Sequence, residues 1–394
     1  MNRYVQQIPP RWWEPKLSPF FIRCWKPLRR RKQLREQQLM EVEVRNLDHL
    51  KAANDTGQGV LITPNHSGHA DAYIMYEAAD QLGAPFYFMT AWQVFQQVNA
   101  FGKLMLQHHG CFSIDREGTD LKAFRQAVDV LQAGQYPLVI FPEGEVYHTN
   151  DRITPFREGA AAAAISGARK SKQPVLCVPC GIKYQYLNDP TDNLLQLMDK
   201  LEQEIFWRPR GELPLAERIY RFAEGAMALK EVEYLGRTSA GLLSERTAAL
   251  ADHILKDLEE RYDCSADEKT IPERVKDLRR HAVVKLSELP DGDPARKGYE
   301  NDLDDLFLVV QLFSYPGDYV QENPSVERMA ETLDKFAEDV LGAYSASIRG
   351  PRRAVVSFGE PIEVMPEKKS KTMIPDLTRT LEQAVQAELD ATSM

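Results

Sequence analysis

The segment Asn65-His66-Ser67-Gly68-His69-Ala70-Asp71 carries an imidazole and a carboxylate with four residues between them. Imidazole changes protonation near neutrality, so a histidine is the natural side chain to take a proton from a hydroxyl at physiological pH. If Asp71 accepts the proton on one ring nitrogen of His66, the other nitrogen stays available as a base. The pair then works as a triad whose nucleophile is the substrate itself. A histidine and an aspartate in a loop can equally be solvated turn residues, and this stretch alone does not separate the two readings. Further polar residues, Arg116, Glu143 with Gly144, and Pro179, each close a short apolar run downstream.

Such residues need rigid elements to hold them. Val60 to Thr63 is a β-branched and aliphatic run expected to form a buried strand, and Ala72 to Ala79 reads as the helix after it. The polar loop then lies at the carboxyl end of a strand, with Ser67 placed to cap the helix and the helix N-terminus favouring a neutral imidazole. Phe86 to Met89, Gly110 to Arg116, Leu138 to Phe141 and Val175 to Val178 read as further strands, the last ending at Pro179. Leu34 to Leu50, Asp120 to Ala133 and Ala160 to Ala168 read as helices. Strands alternating with helices over 50–190 predict an α/β fold, with a mostly parallel sheet flanked by helices. The polar residues then gather at the carboxyl ends of four strands, the edge where such sheets bind ligands.

Beyond Gln185 the pattern changes to long charged helices, over Leu194 to Phe206, Leu215 to Lys230, Leu242 to Tyr262 and Val326 to Tyr344, without an evident repeat. Leu306 to Phe313 reads as a buried helix face. A strand pattern returns over Arg353 to Ile362 and a last helix over Pro375 to Ala391. The expected organisation is a basic aromatic arm at 1–45, an α/β domain made of 46–190 and 350–394, and a helical insertion at 191–349, with an independent C-terminal domain as the alternative.

The 394 residues, 43 % of them apolar, suit a globular core. No apolar run is long enough to span a bilayer and the N-terminus lacks a signal-peptide pattern, so a cytoplasmic location is expected. Five cysteines do not make a disulfide framework, and the apolar strand pattern around Cys177 and Cys180 favours core side chains over a redox or zinc pair. The net charge of −9 conceals an asymmetry: residues 1–35 hold ten Lys and Arg against Glu14, interleaved with Trp12, Trp13, Phe20, Phe21 and Trp25. Aromatics among basic residues suit the headgroup layer of an anionic membrane. The competing reading packs those aromatics on the body and leaves the charges in water. Nucleic acid is not expected as a partner, because the body is acidic and carries no binding motif.

The chain resembles the glycerolipid acyltransferases of the lysophosphatidic acid acyltransferase type. Their NHxxxxD, GxxFxxR, [FV]PEG and VP blocks correspond in order to residues 65–71, 110–116, Phe141-Pro142-Glu143-Gly144 and Val178-Pro179. The resemblance covers about 45–190 and 350–365, including Phe156 to Ala160 and Phe358 to Ile362. It implies acyl transfer from a thioester, acyl-CoA or acyl carrier protein, to the hydroxyl of a lysophospholipid or glycerol phosphate, on the inner face of the membrane. No metal or bound cofactor is implied. By this resemblance His66 is the base, Asp71 orients it, Arg116 holds an acceptor phosphate, and Asn65, Glu143, Gly144 and Pro179 line the acceptor site.

One departure stands out. Many members continue the third block with Thr-Arg-Ser, whereas this chain has Glu145-Val146-Tyr147. The acceptor is therefore expected to differ from lysophosphatidic acid, with Arg157 as a replacement positive charge. The block also resembles the tafazzin-like branch, which implies phospholipid transacylation as an alternative. An acyl-thioester hydrolase and a non-catalytic lipid-binding tether complete the readings. His69 and the pair His108-His109 are read as polar turn residues, and His148 as a possible substrate contact.

Overall fold

The computed structural model describes residues 10–116, 120–264, 269–343, 347–366, 370 and 372–392. The chain forms two compact units, one from residues 10–189 and 348–392, the other from 190–347. In chain order the first contains α1 (Pro19–Arg35), β1 (Leu39–Arg45), α2 (Leu47–Asp55), β2 (Gly59–Pro64), α3 (Asp71–Leu82), β3 (Tyr87–Ala91), α4 (Trp92–Gln96), α5 (Ala100–His108), β4 (Cys111–Ile114), α6 (Leu121–Ala133), β5 (Leu138–Val139), α7 (Gly159–Ser171) and β6 (Val175–Tyr186). The second consists of α8 (Thr191–Phe206), α9 (Leu215–Leu235), α10 (Leu243–Tyr262), α11 (Ile271–Glu288), α12 (Arg296–Phe313), α13 (Tyr319–Glu322) and α14 (Val326–Asp339). β7 (Arg352–Phe358), β8 (Ile362–Val364) and α15 (Met373–Ala391) return to the first. No described helix is long and apolar enough to cross a membrane.

The sheet runs β1-β7-β6-β2-β5-β3-β4, with β8 added beside β6. Its pairs are parallel except β6 with β7 and with β8, which are antiparallel. The fold is thus mixed α/β with a mostly parallel sheet, as the alternation of elements predicts. Side chains alternate across each strand. Val60 and Ile62 therefore enter one apolar cluster with Ile74, Met75 and Ala78 of α3, while Leu61 enters another with Leu131 of α6 and the alanines of α7. The same alternation sends Cys177 and Cys180, three residues apart, to opposite faces. Burial pushes the Cys177 thiol up to about 12, which keeps it protonated and inert.

Three expectations are corrected. Leu34 to Leu50 is not one helix: α1 ends at Arg35, and Leu39–Arg45 forms an edge strand paired with β7. The alternation Glu41-Val42-Glu43-Val44 turns the valines toward the core and leaves charges on an edge that would otherwise invite further pairing. Nor does the strand of Val175 end at Pro179. β6 continues to Tyr186, because Pro179 lies where its antiparallel partner changes from β8, which pairs with 175–177, to β7, which pairs with 180–186. A missing N–H removes no ladder bond there.

The helical unit does contain a repeat. Leu215-Ala216-Glu217-Arg218, Leu243-Ser244-Glu245-Arg246 and Ile271-Pro272-Glu273-Arg274 lie 28 residues apart and open α9, α10 and α11. Each arginine is clamped by the preceding helix: Arg218 by Glu202 at 2.7 Å, Arg246 by Glu231 at 2.7 Å and Arg274 by Glu259 at 2.7 Å. A second acid, Asp199, Glu224 or Asp252, completes each clamp. The shared residues are too few per period to stand out from ordinary amphipathic spacing.

Candidate active site

Parallel strands deliver loops to one edge of the sheet, and the loop after β2 is the centre of this one. His66 and Asp71 come together: His66 Nδ1 lies 2.7 Å from Asp71 Oδ2. Asp71 is the first residue of α3 and is completely buried, whereas the His66 side chain keeps 23 % of its surface exposed. The carboxylate also accepts from Gly68 N at 3.1 Å on Oδ2 and from the Tyr184 hydroxyl at 2.5 Å on Oδ1. A carboxylate without a proton can only accept, so this contact is made by a proton on Nδ1 and directs Nε2 away from Asp71. The imidazole stacks on Phe141, centroids 4.2 Å apart, which fixes its plane. Ser67 does not cap α3, whose N-cap is Ala70 without a side-chain cap bond; Asp71 itself takes the Gly68 amide instead.

Asn65 and Glu143 are near this pair but face inward. Asn65 is buried, and its amide donates to Ile182 O at 3.0 Å and accepts from Ile182 N at 2.7 Å. β2 has ended at Pro64, so the Asn65 side chain continues its pairing with β6. Glu143 is buried with both oxygens engaged, Oε1 by His66 N at 2.7 Å and Oε2 by Thr154 N at 3.0 Å. Burial pushes its carboxyl up to about 7 against the pull of those amides. The hydrogen-bonding atoms of Asn65 and Glu143 are thus used on the backbone, where they anchor the loops around the pair. Pro179 is likewise buried in β6, beside Thr63 of β2 and with its ring against Gly359.

The cationic residues converge on Gly144. Arg116 Nη1 donates to Gly144 O and forms an ion pair with Glu145 at 2.9 Å. Its charge is thus balanced by Glu145, which follows directly on Gly144. Arg157 approaches from the other side: a Cβ on Gly144 would lie 2.6 Å from Arg157 Nε, and Gly144 has φ of 81°. The left-handed backbone favours glycine there, and a Cβ would push the Arg157 side chain aside. Arg157 Nε is buried without a hydrogen-bond partner among the described residues.

Other histidines sort differently from the sequence reading. His109 is not in a surface turn but buried, its Nδ1 2.8 Å from Met105 O, and burial lowers its pKa. His69 is exposed and meets His148 edge-on, centroids 5.5 Å apart, with His148 in the left-handed region at φ 53°.

Two residues escaped the sequence reading. Tyr184 touches Asp71, and Asn150 clamps Tyr184, accepting from its backbone N at 2.6 Å and donating to its O at 2.8 Å. The alternation Ile182-Lys183-Tyr184-Gln185 past Pro179 is the sequence feature that could have revealed them. The long 141–158 connection is held in turn by α15, through Glu382 to Phe156 N at 2.8 Å and Gln386 to Ile153 N at 3.1 Å.

No curated protein matches the chain. The family model described as Acyltransferase matches residues 41–183, from within β1 to within β6, and this match spans the His66 loop, Arg116 and Gly144 and ends one residue before Tyr184. The stretch that builds most of the site is therefore similar to the acyltransferase family.

Proposed function

We propose that the α/β unit moves a fatty acyl group from a thioester, acyl-CoA or acyl carrier protein, to the hydroxyl of a lysophospholipid. The observation that carries this reading is the partly exposed His66 ring held through Nδ1 by the buried Asp71 carboxylate, an arrangement that leaves Nε2 to act as the base. Nε2 takes the acceptor's hydroxyl proton as that oxygen attacks the thioester carbonyl. The tetrahedral adduct then collapses, the C–S bond breaks, and the imidazolium returns its proton to the leaving thiolate. Asp71 stabilises the imidazolium between these steps. No acyl-enzyme and no metal enters this sequence.

Arg157 is assigned the acceptor's phosphate. Arg116 is already neutralised by Glu145, and a single uncompensated guanidinium suits a phosphodiester monoanion, so the acceptor is a lysophospholipid with an esterified headgroup. An anionic membrane surface is the second partner. The N-terminal aromatics are largely spent on the body, Trp13 stacking on Phe95 at 5.1 Å and Phe21 on His108 at 4.6 Å. What remains outward is Phe20, 79 % exposed, with Leu28, Phe101 and Leu104, beside the exposed Arg23, Arg31 and Lys32 of α1. That surface supports peripheral attachment, and residues 1–9 of the basic stretch lie outside the described residues.

The test is thiol release from palmitoyl-CoA by the full chain, with and without a panel of lysophospholipids, beside His66→Ala. Release that requires an acceptor and is lost in the variant supports transfer. Equal release without any acceptor would make the protein a thioester hydrolase and overturn the proposal.

A further inference from the structure

Tyr184 lies 113 residues from Asp71 in the chain, yet its hydroxyl donates to Asp71 Oδ1 at 2.5 Å, and both groups are buried. Three independent devices hold the ring there. Asn150 takes both backbone groups of Tyr184, Ala354 of β7 pairs with it across the sheet, and the Arg352 guanidinium lies 4.8 Å over the ring. Gly68 gives the ring its place on the loop side, since a Cβ at that position would come within 3.3 Å of it. A tyrosine needed only to fill this space would not require its hydroxyl to be aimed at a carboxylate.

We propose that Tyr184 is the positioning residue of the His66–Asp71 pair. By occupying Oδ1 it leaves Oδ2 for the imidazole and fixes the carboxylate plane, and by drawing charge toward the phenol it limits how strongly Asp71 holds the imidazolium. The inference rests on the acyl-transfer reading for its kinetic consequence but not for its electrostatic one. The groups facing Asp71 are His66 and Gly68 in its own loop, Tyr184 and Cys180 on β6, and Glu143 after β5.

The test is Tyr184→Phe in the full chain. The rate of acyl transfer is expected to fall about tenfold, the loss of one hydrogen bond to a charged group, with both KM values within about twofold of wild type. The acid limb of the kcat/KM profile moves to higher pH, because the carboxylate charge concentrates on the imidazolium. A purely structural tyrosine would not move that limb. The same displacement is read without substrate from the ring-nitrogen NMR titration of His66, assigned by its absence in His66→Gln. This readout separates failure of the inference from failure of the acyl-transfer reading. Should Tyr184→Phe not fold, difluorotyrosine at 184, a stronger donor, is expected to move the titration to lower pH. An unchanged His66 titration in either variant, or a Tyr184→Phe rate within twofold of wild type, overturns the proposal.

Discussion

Asp71 and Glu143 in the α/β unit and Glu231 and Glu259 in the helical unit are all buried carboxylates, but different donors reach them. Asp71 and Glu143 receive a ring N–H, a phenol and backbone amides. Glu231 and Glu259 receive the guanidinium forks of Arg246 and Arg274. A guanidinium fixes the carboxylate charge, and Arg246 accordingly holds Glu231 below its usual range. Neutral donors fix the geometry and leave proton affinity to the surroundings, so Glu143 lies near 7. The helical unit uses buried acids as rivets between successive helices, and the α/β unit keeps one where its charge can act on an imidazole.

The sharpest way to break this contrast is to remove one arm of a rivet. Arg246→Met leaves Glu231 buried and unpaired and is expected to destabilise the chain by about 3–5 kcal/mol in denaturant unfolding, with much of the loss recovered when Glu231→Leu is added. A loss below about 1 kcal/mol would mean that the clamp is not a rivet. Glu143→Gln is next: the two backbone N–H groups use different carboxylate oxygens, one of which becomes an NH2 donor in the amide, and about 1–3 kcal/mol of stability is expected to go. Glu143 binds its proton more tightly in the folded than in the unfolded chain, so its contribution favours folding below the ordinary value of 4.5 and is lost as pH rises through about 7. Unfolding midpoints of wild type should fall over that window relative to those of Glu143→Gln. Parallel curves would show that the carboxyl is not perturbed.

Arg116–Glu145 brings the ion-pair device to the edge of the site. Releasing Arg116 with Glu145→Thr is expected to shift the kcat/KM ratio about tenfold toward acceptors carrying a phosphomonoester, and an unchanged ratio would remove Glu145 from acceptor selection. The smallest effect belongs to α1, which Arg29 and Arg30 tie to Asp80 and Glu77 of α3 while Arg31 stays exposed. Arg31→Ala should weaken binding to vesicles containing phosphatidylserine about fivefold at low salt, and equal binding would separate α1 from the membrane.

Much of the sheet was legible because buried parallel strands announce themselves as apolar runs, and the closeness of His66 and Asp71 because five positions of chain, a short loop and the start of α3, join them. What was missed depends on partners distant in the chain. β1 becomes a strand by pairing with β7, more than 300 residues away, and Pro179 is tolerated inside β6 only because two partners meet beside it. The inward anchoring of Asn65 and Glu143 also depends on distant partners. Their polar atoms are taken by the backbone of residues 182, 66 and 154, which spacing within the motifs does not reveal. Tyr184 carries no motif at all.

The central claim is that a buried carboxylate orients His66 as a base. Its most direct test is the rate of acyl transfer by Asp71→Asn, compared with wild type at saturating palmitoyl-CoA and lysophospholipid. The asparagine keeps the shape of the site but cannot hold Nδ1–H and stabilise an imidazolium as the carboxylate does, so kcat is expected to fall by about 10²–10⁴ with KM little changed. A variant that kept kcat within threefold of wild type would contradict the account.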